Sequence, residues 1–112
     1  MTLMSVRLGF AASPSSIDIS YDSKEKNLHI AVNHVTHDPR EHYIRKILIY
    51  KNADTEPAIY RYVQQSSTQA QAEDVAIDLK PGDTIKVEAY CIEAGKAENT
   101  FTVPEDLPPE KK

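Results

Sequence analysis

The chain has 112 residues and a net charge of −4, with 13 Lys and Arg scattered among 17 Asp and Glu; that balance predicts one domain with a modest core and argues against nucleic acid, whose phosphates require a concentrated basic face. A single cysteine excludes an intrachain disulfide framework. No apolar run approaches the length needed to span a membrane, so no membrane partner is expected.

Residues 1–15 are expected to be a disordered start or leader remnant. Val6 to Ser13 resembles the end of a secretory leader but is too short and too weakly apolar to be a whole one. The compartment, cytoplasm or periplasm, therefore stays undecided. Period-2 alternation then takes over and no long helical pattern appears. Ile17, Ile19 and Tyr21 alternate with polar residues, and Asp22 to Asn27 reads as a turn. In the next strand Leu28, Ile30 and Val32 share one face, with His29, Ala31 and Asn33 on the other. His34 to Glu41 is a connection, where Asp38-Pro39 favours a turn because proline fixes φ and has no amide to donate.

Tyr43 to Tyr50 is β-branched and aromatic and apolar on both faces, Ile44 and Leu48 on one, Ile47 and Ile49 on the other. That pattern predicts a central strand. Ala58 to Gln64 forms a further strand, and the polar stretch Gln65 to Gln71 is expected to be an exposed loop. Val75, Ile77 and Leu79 lead into the turn Lys80-Pro81-Gly82-Asp83. Ile85, Val87, Ala89 and Cys91 then line one face of a strand, opposite Lys86, Glu88 and Tyr90, and Phe101 and Val103 close the set. Pro104 to Lys112 is expected to be a frayed tail. About seven short strands separated by turn signals predict an all-β fold over residues 16–103, an immunoglobulin-like antiparallel sandwich.

The chemistry-bearing residues are few. His37 and His42 flank the Pro39 turn, and Cys91 ends the apolar face of its strand. Imidazole suits several transition metals, and thiolate biases a site towards softer or redox-active ones. His34 continues the face of Ile30 and Val32, so it reads equally as a ligand and as a core-edge histidine bonded to backbone. His29, on the opposite face, is a poor candidate. Glu41, Glu88 and Glu93 could supply substitute oxygen ligands, although surface solvation suits each better. Tyr60 and Tyr62, two apart, suggest sheet packing rather than a redox pair. There is no phosphate-cradling glycine loop and no serine nucleophile elbow.

The string His37-Asp38-Pro39-Arg40-Glu41-His42-Tyr43-Ile44, with the later Leu79 to Cys91 segment ending Ala89-Tyr90-Cys91, resembles the iron-binding domain of the desulfoferrodoxin/superoxide reductase family. The resemblance runs from about Leu28 to Val103. It implies an immunoglobulin-like sandwich and a prokaryotic source. It also implies a mononuclear non-haem iron site of four imidazoles and one axial thiolate, with an open position at which superoxide is reduced to hydrogen peroxide. Thiolate ligation pushes electron density onto the metal, as in thiolate-ligated haem.

Carried over by position, the metal ligands would be His42 and Cys91, with His37 or His34. An external one-electron donor would be needed, because one cysteine cannot build a rubredoxin-type centre. The pattern is incomplete. Ala94 stands where the family's Cys-Asn-x-His-Gly segment places a ligand histidine, and no Lys-His-Val-Pro segment precedes the first strands. The His37 to His42 interval is also one residue short. A sandwich that has lost the metal and acts as a binding or interaction module is the alternative expectation. Oligomeric state is not legible.

Overall fold

The computed structural model describes residues 14–93 and 95–104. The leader-like segment Val6 to Ser13, Ala94, and the expected tail beyond Pro104 lie outside the described residues. Within them, seven strands run in chain order: β1 Ser16–Asp22, β2 Asn27–Asn33, β3 Ile44–Lys51, β4 Ala58–Arg61, β5 Ala70–Ala76, β6 Thr84–Cys91 and β7 Lys96–Thr102. They form two antiparallel sheets, β1-β2-β5 and β4-β3-β6-β7. The architecture is the expected immunoglobulin-like sandwich.

Alternation builds the core from both sheets. Leu28, Ile30 and Val32 face inward from β2, and Ile85, Val87, Ala89 and Cys91 from β6. Burying such side chains contributes roughly 1.5–3 kcal/mol each for the larger ones, and both strands have a neighbour on each side, β2 between β1 and β5 and β6 between β3 and β7. The β1–β2 hairpin closes as expected. The Asp22 carboxylate accepts from the Lys24 and Glu25 amides at 3.0 and 3.1 Å, and Lys26 takes a left-handed φ of 57°. Tyr21 ties this sheet to the β5–β6 connection, its hydroxyl donating to Ile77 O at 2.8 Å and accepting from Leu79 N at 2.9 Å.

Three sequence expectations change. First, Ile44 does not share a face with Leu48. A β-bulge lies between Ile44 and Lys46, so Ile44 pairs with Cys91 and Lys46 with Tyr90, leaving Arg45 over. The extra residue switches the alternation. Ile44 therefore joins Ile47 and Ile49 in the core. Second, the segment from Gln65 is not a uniformly exposed loop. Gln65 is 2% exposed, and β5 already begins at Ala70. Third, β4 ends at Arg61, short of the expected Gln64. Beyond it Tyr62 N donates to Arg45 O at 2.9 Å.

Candidate metal centre

At one end of the sandwich three chain segments converge: the end of β2, the start of β3 with its preceding turn, and the end of β6. The turn is built by Asp38 and Pro39. Glu41 N and His42 N both donate to Asp38 O, at 3.0 and 2.9 Å, and Arg40 N donates to the Asp38 carboxylate at 3.0 Å. Proline supplies the fixed φ at the turn's second position. Thr36 braces it from the other side, its hydroxyl accepting from Asp38 N at 3.2 Å. This short turn delivers His42 to the mouth of β3.

His42 is half-buried, and its Nδ1 is a buried polar atom with no hydrogen-bond partner among the described residues. Such orphans cost free energy and are uncommon in folded proteins. Its Nε2 lies 4.0 Å from a Glu93 carboxylate oxygen. Cys91 is 5% exposed, paired to Ile44, and the next amide, Ile92 N, donates to Tyr43 O at 3.0 Å. His42, Tyr43, Ile44, Cys91 and Glu93 thus belong to one joined strand end.

His34 reaches the same end from the opposite sheet. It is 1% exposed, and its Nδ1 lies 2.7 Å from Gln65 Oε1. The same oxygen accepts from Ile44 N at 3.2 Å. Gln65 Nε2 donates to His34 O at 2.7 Å and to Ser67 O at 2.8 Å, and Gln65 N donates to Pro39 O at 2.9 Å. Through its side-chain amide and its backbone N–H, Gln65 therefore joins the segment after β2, the start of β3, the Pro39 turn and the β4–β5 connection. Sequence reasoning missed it. A single glutamine opening a polar, Ser- and Gln-rich run carries no signal that distinguishes it from its exposed neighbours.

The remaining candidates part company with this end. His37 is exposed on the turn. His29 sits on the outer face of the first sheet, its Nδ1 2.7 Å from Asp74. Glu41 is exposed, whereas Glu88, expected to be a solvated surface group, is 8% exposed on the outer face of the second sheet. Tyr90 donates to it at 3.0 Å and Lys86 lies 3.4 Å away. Among the described residues no group of three or more His, Cys, Asp or Glu side chains is arranged to hold a metal ion. The fold brings His34, His42 and Cys91 to one end without closing them around one point. In donor chemistry, two imidazoles and a thiol fit a soft divalent transition ion; in number they fall short of a closed shell.

Comparison of the fold gives the neighbours of this arrangement. The superoxide reductase of Giardia intestinalis superposes with a TM-score of 0.55 at 12% identity, over 82% of this chain and all (100%) of that one. The neelaredoxin-type superoxide reductase of Ignicoccus hospitalis gives 0.52 at 13% identity, over 81% and 80% of the two chains. Its T24K variant gives 0.53 at 14%, over 83% and 82%.

The chain has the superoxide reductase fold.

At these identities the likeness is one of fold. No protein-family model matches the sequence, and no curated protein matches it either. Among the described residues no helix is long and apolar enough to cross a membrane.

Proposed function

We propose that this superoxide-reductase-like domain binds a single non-haem iron ion at the strand end formed by His42, Cys91 and His34, with superoxide as its substrate. The observation that carries the reading is the buried Nδ1 of His42, without a hydrogen-bond partner among the described residues, beside the Cys91 strand end. The fold likeness supports it. When bound, iron would supply one electron to superoxide, and an external one-electron donor would restore it.

The protein's own residues have definable parts. Cys91 would present its sulfur from the core side, where burial limits access by bulk water. His42 would present a nitrogen from the rim. Glu93, 4.0 Å from His42 Nε2, would place negative charge at the mouth. His34 is the better third donor than His37, because it is buried at this end while His37 faces solvent.

A second reading has its own observation: no three donors are assembled among the described residues. On that reading the domain is a metal-free sandwich that binds a partner. Metal content after anaerobic purification and ferrous reconstitution, with a visible spectrum of the oxidised protein, separates the two. Near-stoichiometric iron with a thiolate charge-transfer band supports the first. Negligible metal and a featureless spectrum support the second.

A further inference from the structure

We infer that the outer face of the four-stranded sheet, along the row Arg61–Lys46–Tyr90–Lys96, is a docking surface for an acidic segment of a partner protein. The inference stands apart from the metal reading.

Strand register builds the row. Arg61 of β4 pairs with Lys46 of β3, Lys46 with Tyr90 of β6, and Tyr90 with Lys96 of β7. Neighbouring strands lie about 4.8 Å apart, so three cations share one line of roughly 14 Å across the whole sheet. They alternate with the core side chains Ile47 and Ala89 and so face outward. Like charges directly opposite one another on a sheet are destabilising, and Arg61 and Lys46 are such a pair. Among the described residues neither has a carboxylate partner, whereas Lys86 and Lys96 each have one, Glu88 at 3.4 Å and Glu98 at 3.5 Å. The fold gains nothing from that repulsion. A local arrangement that opposes the fold is expected where function requires it, and here a carboxylate from outside would relieve it.

The lysines are also held in place. Lys46 Nζ lies 5.0 Å and Lys96 Nζ 5.7 Å from the centre of the Tyr90 ring, within cation–π range. The Tyr90 hydroxyl is itself anchored to Glu88 at 3.0 Å. Charge fixed in this way before binding lowers the ordering cost of association, and it is positive charge on a chain whose net charge is −4. The adjoining row sets the chemistry of the occupant. It runs Ile59, Leu48, Glu88, Glu98, and Ile59 is 47% exposed. Carboxylates interspersed with apolar side chains match this face, the carboxylates over Arg61 and Lys46 and an apolar group over Ile59. A continuous polyanion would meet Glu88 and Glu98, and the Tyr90 ring carries two ammonium groups where single-stranded nucleic acid would stack a base.

The test uses the whole chain and a short fluorescein-labelled peptide of alternating glutamate and leucine, read by anisotropy. Binding should saturate at low salt and weaken as salt rises past about 0.15 M. Lys46→Glu and Arg61→Glu should each weaken it at least about 10-fold. A Lys24→Glu/Lys80→Glu double variant changes the net charge more, at exposed positions on other connections, and should shift binding by less than about 2-fold. Arg61→Glu turns a like-charged cross-strand pair into an opposite one, so its melting temperature should hold or rise while binding is lost; a purely structural role would move the two together. Equal weakening by the Lys24→Glu/Lys80→Glu control, or no saturable binding to the unmodified protein, would overturn the inference. Tighter binding of a single-stranded oligothymidylate or of phosphatidylserine vesicles than of the peptide would overturn it by assigning the row to phosphate. Self-association in sedimentation that Lys46→Glu abolishes would also overturn it, by assigning the face to a second copy of this chain.

Discussion

At the scale of single residues the candidate centre makes opposite demands on its histidines and its cysteine. Cys91→Ser replaces the only thiol with a hydroxyl of similar size, so the fold should survive while any thiolate charge-transfer band disappears. His29→Ala should leave such a band intact. Its ring is engaged with Asp74 on the outer sheet face, a half-exposed pair of the kind worth at most about 1 kcal/mol. An unchanged spectrum in both variants would remove Cys91 from the centre. These residues also show what the sequence made legible. His34 could be placed inward because it continues the parity of Leu28, Ile30 and Val32, and parity along a strand is a local property. Gln65 could not, because its burial is imposed by three segments distant in sequence that meet only after folding.

At the scale of the element, β3 shows the limit of reading parity from sequence. Ile44 and Ile47 differ by three positions, which places them on opposite faces of a regular strand. The bulge at Arg45 puts both inward. Nothing in Ile44-Arg45-Lys46 announces it, since a bulge is decided by the pairing strand as much as by the bulged one. Deleting Arg45 should therefore be tolerated. Ile44 and Ile47 would then alternate regularly about Lys46, and the clear loss is the Arg45 carbonyl that accepts from Tyr62 N, about 1 kcal/mol. Deleting Leu48 instead would exchange the faces of Ile44 and Ile47, both fully buried, against those of Arg45 and Lys46. Its cost should be at least about 3 kcal/mol. Urea unfolding of the two deletions measures the contrast. Bulges also re-aim neighbouring side chains, so the Arg45 deletion should weaken any metal uptake at His42 more than it weakens the fold.

At the scale of the molecule, the two ends of the sandwich carry different chemistry, and pH should separate them. The end opposite His42 is closed by Asp83, whose carboxylate accepts from Lys80 N at 2.8 Å and from Asn52 Nδ2 at 3.2 Å. These two hydrogen bonds, the Lys80 amide first, hold its pKa below the usual carboxylate range. On the outer face of the second sheet, burial acts to raise the Glu88 pKa. Hydrogen bonds from Tyr90 and Lys86, together with the Lys96 charge, outweigh it and leave the carboxyl lowered. A carboxylate with a depressed folded pKa contributes its stability in full above the unfolded value, about 4, and loses it as pH falls towards the folded value. The melting temperature should therefore be flat from neutral pH to about pH 5 and fall below about pH 4. Asp83→Asn should lower the plateau and make the acid limb shallower, because one of the groups that must be protonated is gone. At high pH the sign reverses for tyrosine. Burial first, then the 2.6 Å hydrogen bond to Glu73, raises the Tyr62 pKa, so its contribution is complete below about pH 10 and is lost as pH rises through the folded value. The Tyr90 pKa is raised as well, by its hydrogen bond to Glu88 first, so an ultraviolet titration should show a late tyrosine phase as the fold is lost, and Tyr62→Phe should diminish that phase by one group. Asp83, just before the start of β6, lies at the end away from Cys91 and the start of β3. An Asp83→Asn variant whose metal uptake at pH 7 matches the unmodified protein would show that the acid limb reports on the scaffold, whereas a parallel loss of both would mean that the two ends are coupled through β3 and β6.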